Sequence, residues 1–275
     1  MTERTDTDLS GRIIVGVEDS QESDLAIRWA ANHSRITNRP IHLVHAFVWP
    51  LMGVDVDPVP GVTGSGLKAA AERLIDEASA IAREIAPGAL VTGEVADGRA
   101  LDVLLARERE GDTIVVGSRG LGRFLSLLVG STSLALIARA KADVVVVRGA
   151  IEEGPIAAFY DGQESFDGVV TRAAKLAHEY GTSLCVYPSI TIPEAEWPGV
   201  LERATTIAGE KYPDVEITMT PYARDHSAKA LIRRAEGTRM IVAAARTSGE
   251  EQRSAAPSTV SMLQYANTPV WLQRG

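Results

Sequence analysis

Cysteine is almost absent from this sequence. Cys185 stands alone among 275 residues, so no internal disulfide can form, and one thiol does not by itself set the redox compartment. No apolar run approaches the ~18 residues that a membrane-spanning helix needs. Residues 1–11 are polar and lack the apolar centre of a secretory signal, so the reading is a cytosolic protein with a polar leading tail. A basic surplus is missing too. Lys and Arg number 28 against 36 Asp and Glu, a net charge of −8. Divided at residue 150, the halves carry 16 basic against 20 acidic and 12 against 16. That balance argues against a nucleic-acid surface or an anionic-membrane surface, but not against a local anion pocket. Two familiar phosphate motifs are also absent. There is no Gly-Lys-Ser/Thr of a Walker loop, and no G-x-G-x-x-G opens the first strand-to-helix turn.

What is present centres on Gly117 to Thr132, GSRGLGRFLSLLVGST. Thr113 to Val116 ahead of it is an apolar, β-branched run with the pattern of a buried strand. Leu134, Leu136, Ile137 and Ala138 behind it fit a short helix. The order is strand, glycine loop, helix. Glycines let the backbone come close to an anion, and helix N-terminal N–H groups and the dipole favour negative charge there. Ser131, Thr132 and Ser133 add hydroxyls, and Arg119 and Arg123 add positive charge.

The rest of the chain alternates strand and helix. Strands are expected at 12–17, 41–47, 90–95, 112–117 and 144–147. Helices are expected after Ser20 or Ser23, from Leu67 to the Pro87-Gly88 stop, and over 100–109. Residues 48–66, rich in proline and glycine, read as an irregular connection. Such alternation means a parallel, doubly wound α/β sheet. Ligands of such sheets lie outside the strand carboxyl ends where strand order reverses, which puts residues 17–20 and 117–133 together if strands one and four are neighbours. His42 and His45, read as sharing one face of the second strand, have no third ligand nearby. They are taken as core or edge histidines, not a metal site.

The second half repeats the first. An offset of 127 carries Ile114, Val115, Arg119, Ser131, Thr132 and Leu136 onto Ile241, Val242, Arg246, Ser258, Thr259 and Leu263, and Leu104 and Arg107 onto Leu231 and Arg234. The same offset turns Gly117 into Ala244, Gly120 into Thr247 and Gly130 into Pro257. All three glycines are lost, and proline has no N–H to offer. Elements are expected at 165–180, 183–187, about 195–210, 214–220, 239–243 and 269–273, after a linker over 149–154.

Gly117-x-x-Gly120, nine residues, then Gly130-Ser131 resembles the ATP-binding signature of the universal stress protein family, and Val15-Gly16-Val17-Glu18-Asp19-Ser20 resembles that family's first strand and turn. The resemblance covers most of the chain, in two copies. It implies a fold of two tandem doubly wound five-stranded parallel sheets of the nucleotide-binding kind, in domains 1–148 and 155–275. The domains are expected to pair as a pseudo-twofold couple through Val144–Val147 and Val270–Leu272, as two sheets, not one continuous sheet. A homodimer is left open. The resemblance also implies an adenine nucleotide, ATP with or without magnesium. Adenosine would lie beside Gly16, Val17, Glu18 and Val44, and phosphates on Val116, Gly117, Ser118, Arg119, Gly120, Arg123, Gly130, Ser131, Thr132 and Ser133. Only the first copy keeps this set, although Asp161 retains the acid in the second. The family's aspartate is Glu18 here, one methylene longer. The leading function is a non-enzymatic stress regulator with one ATP site. A nucleotide-free interaction protein of the same fold and an ATP-using enzyme of a related fold are the alternatives.

Overall fold

A computed structural model of the protein describes residues 11–47, 65–118, 130–149, 153–189, 192–220, 235, 237–245, 247–248 and 254–274. Arg119, Gly120, Arg123, Leu231, Arg234 and Arg246 lie outside them, as do the polar tail and most of the connection over 48–66.

In the first half β1 (Ile13–Gly16), β2 (Ile41–Phe47), β3 (Val91–Asp97), β4 (Thr113–Gly117) and β5 (Asp143–Val147) alternate with α1 (Gln21–Thr37), α2 (Ser65–Ile85), α3 (Ala100–Arg107) and α4 (Ser131–Arg139). In the second, β6 (Ile156–Tyr160), α5 (Phe166–Tyr180), β7 (Leu184–Pro188), α6 (Trp197–Gly209), β8 (Ile217–Met219) and β9 (Met240–Ala244) follow one another. A short hairpin of β10 (Thr247–Ser248) and β11 (Ser254–Ala255) precedes α7 (Pro257–Tyr265) and β12 (Val270–Gln273).

Local chemistry accounts for the boundaries. Ser20 is the cap of α1: its hydroxyl accepts from the N–H of Ser23 at 3.1 Å, and Glu22 and Asp24 place acids in the first turn. Asn38 ends the helix in the left-handed conformation, and Gly181 does the same for α5. The central strands β4 and β5 are apolar and buried almost throughout, because helices cover both faces. One face carries α1, α2, α5 and α6 over Ile13, Val15, Leu43 and Trp271. The other carries α3, α4 and α7 over Ile14, Val116, Val144 and Leu272.

The strand order is β3-β2-β1-β4-β5-β12-β9-β6-β7-β8, a single ten-stranded sheet. Each half supplies five parallel strands in one topology, with β6, β7, β8, β9 and β12 standing where β1, β2, β3, β4 and β5 do. The expected seam is there: Val146, Val145 and Val144 pair antiparallel with Val270, Trp271 and Leu272. The expectation that the sheets stay separate is corrected. Edge strands that meet through backbone hydrogen bonds necessarily merge their sheets, which also removes two exposed edges. Val115 pairs Val145 as its repeat partner Val242 pairs Trp271, so Val145 and Trp271 are equivalent. They also pair with each other, so the pseudo-twofold axis passes between them. Gly149 closes the seam's far end. Its φ is 66°, and a Cβ there would stand 2.0 Å from the Asn267 carbonyl oxygen, so only glycine fits.

His42 and His45 do not share a face. They are three apart on β2, where side chains alternate, so they point to opposite sides. His42 bonds Thr92 at 2.9 Å and Glu94 at 3.1 Å, while Arg107 holds Glu94 with two bonds of 2.7 and 3.0 Å. The Arg107 hydrogen bonds, followed by His42, draw the Glu94 carboxyl down to about 2. The folded value lies below the unfolded one of ~4.3, so this group stabilises the fold above that pH and the gain is lost as pH falls toward 2. A third of the side chain is exposed, and screening limits the gain to roughly 1 kcal/mol. Glu94→Gln should therefore lose about that much at pH 7, and the deficit should close near pH 2 in urea titrations. A deficit that does not change with pH would contradict it.

Candidate functional site

β1 and β4 are neighbours, so strand order reverses between them: β2 and β3 lie to one side and β5 to the other. The described candidate residues gather at the carboxyl ends of these strands. β1 ends at Gly16, a residue short of expectation, and Val17 hands its N–H to the Val44 carbonyl at 2.9 Å. His45, which the sequence did not flag for this place, donates from Nδ1 to the Val17 carbonyl at 2.8 Å. The turn is thus tied to β2 from both sides. Val44 and Val116 are buried, and a Cβ on Gly16 would lie 3.2 Å from Val116 and 3.4 Å from Leu104. Gly16 therefore serves close packing in the floor of the crevice.

Glu18 sits in the turn after β1. Its N–H donates to Ser23 Oγ at 3.0 Å, and its carboxylate accepts from Ser20 Oγ at 3.3 Å. Both serines of the helix start are used, Ser20 as cap and Ser23 as acceptor, where the sequence left the choice open. Glu18 is half-buried and Asp19 exposed.

The opposite wall is β4 and α4. Ser118 donates its N–H to Val147 at 3.0 Å and accepts from Gly130 N–H at 2.9 Å, bringing the two ends of the glycine loop together. Gly130 is the N-cap of α4, in extended conformation and with no side-chain cap. Among the described residues no side chain caps the first N–H groups of α4, beside the ends of β1 and β4. Ser131 is exposed and Thr132 half-buried, whereas Ser133 is buried and donates its hydroxyl to the Gly117 carbonyl at 3.2 Å. Ser133 thus fastens α4 to β4.

Gly117 is explained by a contact the sequence did not suggest. A Cβ there would stand 2.7 Å from the Glu22 carbonyl oxygen and 2.8 Å from its carbon. The glycine admits the first turn of α1 against the end of β4. The same packing brings the Glu18–Ser20–Ser23 turn and the α4 N-terminus to one crevice. Among the described residues no group of three His, Cys, Asp or Glu side chains is placed to hold a metal ion. No described helix is long and apolar enough to cross a membrane.

At the equivalent place in the second half, β9 ends in Ala244 and α7 begins with Pro257. The hydrogen-bond frame persists: Ala245 donates to Gln273 as Ser118 does to Val147. The glycine chemistry does not.

The profile of the universal stress protein family matches residues 10–148. A universal stress protein of Mycobacterium tuberculosis is 28% identical over 286 residues, covering 95% of this chain and 96% of its own length. A second, from Mycolicibacterium smegmatis, is 28% identical with the same coverage. The crystal structure of a universal stress protein from Archaeoglobus fulgidus superposes with a TM-score of 0.73 at 16% identity, over 96% of both chains, a likeness of fold. The matched profile, the full-length relatives and the twice-built sheet agree: this chain belongs to the universal stress protein family.

Proposed function

We propose that the protein is a cytosolic stress-response regulator that binds ATP in one site, in a first domain of residues 1–148. A second domain of residues 155–275 keeps the fold without a competent site. The observation that carries this reading is the glycine N-cap of α4, without a side-chain cap among the described residues, following β4 where strand order reverses beside β1. Uncapped N–H groups and the exposed Ser131 suit a phosphate chain. Glu18 and the backbone of Gly16 and Val17 suit the nucleoside end. Arg119, Gly120 and Arg123 belong to the same reading from sequence. The role we assign is binding of the nucleotide.

Nucleotide released by heat from the purified protein and identified by mass is the direct test, followed by calorimetric titration with ATP, with and without magnesium. A protein that carries none and takes up none is instead an interaction module of the same fold. One observation favours that second reading: Ser133 and the Glu18 carboxylate already have partners within the protein.

Glu18→Asp separates the two. The turn bonds from Val17 and Glu18 fix the backbone, and the charge is unchanged, so a gain must come from fit. Removing one methylene from a crowded contact relieves about 1–3 kcal/mol, so ATP binding should tighten roughly tenfold or more. Glu18→Ala is the control: it weakens binding if Glu18 already contacts the nucleotide. No gain in Glu18→Asp would defeat the fit argument: either a shifted ligand accommodates the glutamate or Glu18 does not face the pocket.

A further inference from the structure

The helix that opens the site is held at its other end by the half that lacks one. Arg274, just past β12, sends its guanidinium across the seam to the last turn of α4. Nη2 donates to the carbonyls of Leu136, at 3.5 Å, and of Ile137. The Arg274 backbone is fixed in turn, its N–H donating to Asp143 Oδ1 at 2.8 Å on β5. Asp143 is itself buried, and its second oxygen accepts from Trp271 Nε1 at 2.9 Å and from Arg172 at 3.1 Å. Beside them β11, the strand of the hairpin that stands in for a glycine loop, packs on α4, with Ala255 against the cluster that includes Leu136 and Ile137.

Helix α4 is only nine residues long, and its own C-cap, Ala140, is extended and returns one N–H to Leu136. Its remaining terminal carbonyls need outside donors. A fixed cation at that end satisfies a carbonyl and complements the helix dipole. Short helices fray, so a nine-residue helix whose N-terminus must stay aimed at an anion depends on its far anchor. Charge and position are set by the other half of the chain, 137 residues away.

We infer that Arg274 is a positioning residue for the first-half nucleotide site, acting through α4, so that the degenerate second half serves the competent one as its clamp. This rests on the ATP reading above. The Arg274 guanidinium reaches the C-terminal turn of α4 and its N–H reaches β5, so its effect on ligand is carried by the orientation and order of the helix. The arrangement also gives the tandem a use that symmetry would not: the second half can lose its own cradle while its strand end and hairpin remain under constraint.

The test uses the full chain with Arg274→Ala, Arg274→Gln and Arg274→Lys, read by calorimetry with ATP and by amide hydrogen exchange without ligand. Arg274→Ala should raise exchange in α4 by about tenfold and weaken ATP by about tenfold, with α1 and β1 amides unchanged. Arg274→Lys, which still donates to carbonyls, should recover most of both. Arg274→Gln, a neutral donor, should fall between and keeps the test open if alanine impairs folding. Wild-type exchange of α4 in Arg274→Ala would overturn the clamp. Faster exchange with unaltered ATP affinity would overturn the positioning role. A wild type that binds no ATP overturns the site and this role with it. It is told apart from a failed clamp because α4 exchange would still respond to Arg274→Ala.

Discussion

Gly117→Ala is expected to lower the thermal midpoint by roughly 2–10 °C and to weaken nucleotide binding in the same protein. The new methyl would stand 2.7 Å from the Glu22 carbonyl oxygen and 2.8 Å from its carbon, well inside contact distance. Both atoms are backbone, so no rotamer change relieves the overlap; β4 and the first turn of α1 must separate. Overpacking of this kind costs about 1–3 kcal/mol. The displaced turn carries Ser20, whose hydroxyl caps α1 and contacts Glu18, so one wall of the crevice moves with it. Close approach of a phosphate is one reason for a glycine at 117, and Ala244→Gly in the second half, which removes one defect of several, should gain little. Packing now supplies a second reason for the glycine. The two separate in a paired measurement of melting and ATP titration. Lost affinity at an unchanged midpoint returns the glycine to the phosphate; an unchanged midpoint with wild-type affinity removes both accounts. Glu22→Ala combined with Gly117→Ala should not restore the midpoint, since the nearest atoms are main-chain.

The elements that sequence could place are those whose causes are local or periodic. Ser20 or Ser23 ahead of an apolar helix pattern, the Pro87-Gly88 stop, and β-branched runs for β4 and β5 are visible within a few residues. The repeat at an offset of 127 carries the topology of the first half onto the second, and the family resemblance points to the seam strands. What stayed hidden depends on distant partners. His33 meets Tyr180 from 147 positions away, and Arg274 meets Ile137 from 137. Arg39, buried at the amino ends of the strands, donates to the carbonyls of Gly11, Arg12 and Gly111 and to Thr113 Oγ1. Nothing in the neighbourhood of Arg39 in sequence sets it apart from a surface arginine. Arg274 does leave a trace in the sequence: Arg148 follows β5 as Arg274 follows β12, a repeated arginine at the strand ends. The misreading of His42 and His45 was an error of period, since side chains three apart on a strand face opposite ways.

Mild acid is expected to loosen the seam between the halves through one residue, His33. The imidazole is 1% exposed, stacked 5.1 Å from Trp29 and 5.8 Å from Tyr180, with Trp271 edge-on at 5.5 Å. Nδ1 shares a hydrogen bond of 2.9 Å with the Tyr180 hydroxyl. Trp29 and His33 come from α1, Tyr180 from α5 and Trp271 from β12, so the stack spans the seam on the face opposite α4. Burial disfavours the imidazolium, and the nearby cations Arg39, Arg172 and Lys175 disfavour it further, so His33 is pulled down to about 3. The unfolded chain protonates this histidine near 6.5, and the folded chain does not until about 3. Between those values the unfolded state holds the extra proton, so stability is complete above pH ~6.5 and falls with pH by up to about 1.4 kcal/mol per unit. Below about 3 the loss from this group stops. Carboxylates also release stability in acid, mainly below pH ~5, so His33 is read from the difference in slope between wild type and His33→Phe over the window from ~6.5 to ~5. His33→Phe keeps the ring and removes the titration, at the expense of the Tyr180 bond. Urea midpoints measured across that window should therefore fall for the wild type and stay nearly level for His33→Phe, whatever their offset at pH 7. Tyr180→Phe, which loses the same hydrogen bond but leaves the imidazole buried, should keep the wild-type slope. Parallel slopes for wild type and His33→Phe would show that the stack takes up the proton without strain, and would end the argument for a histidine-controlled seam.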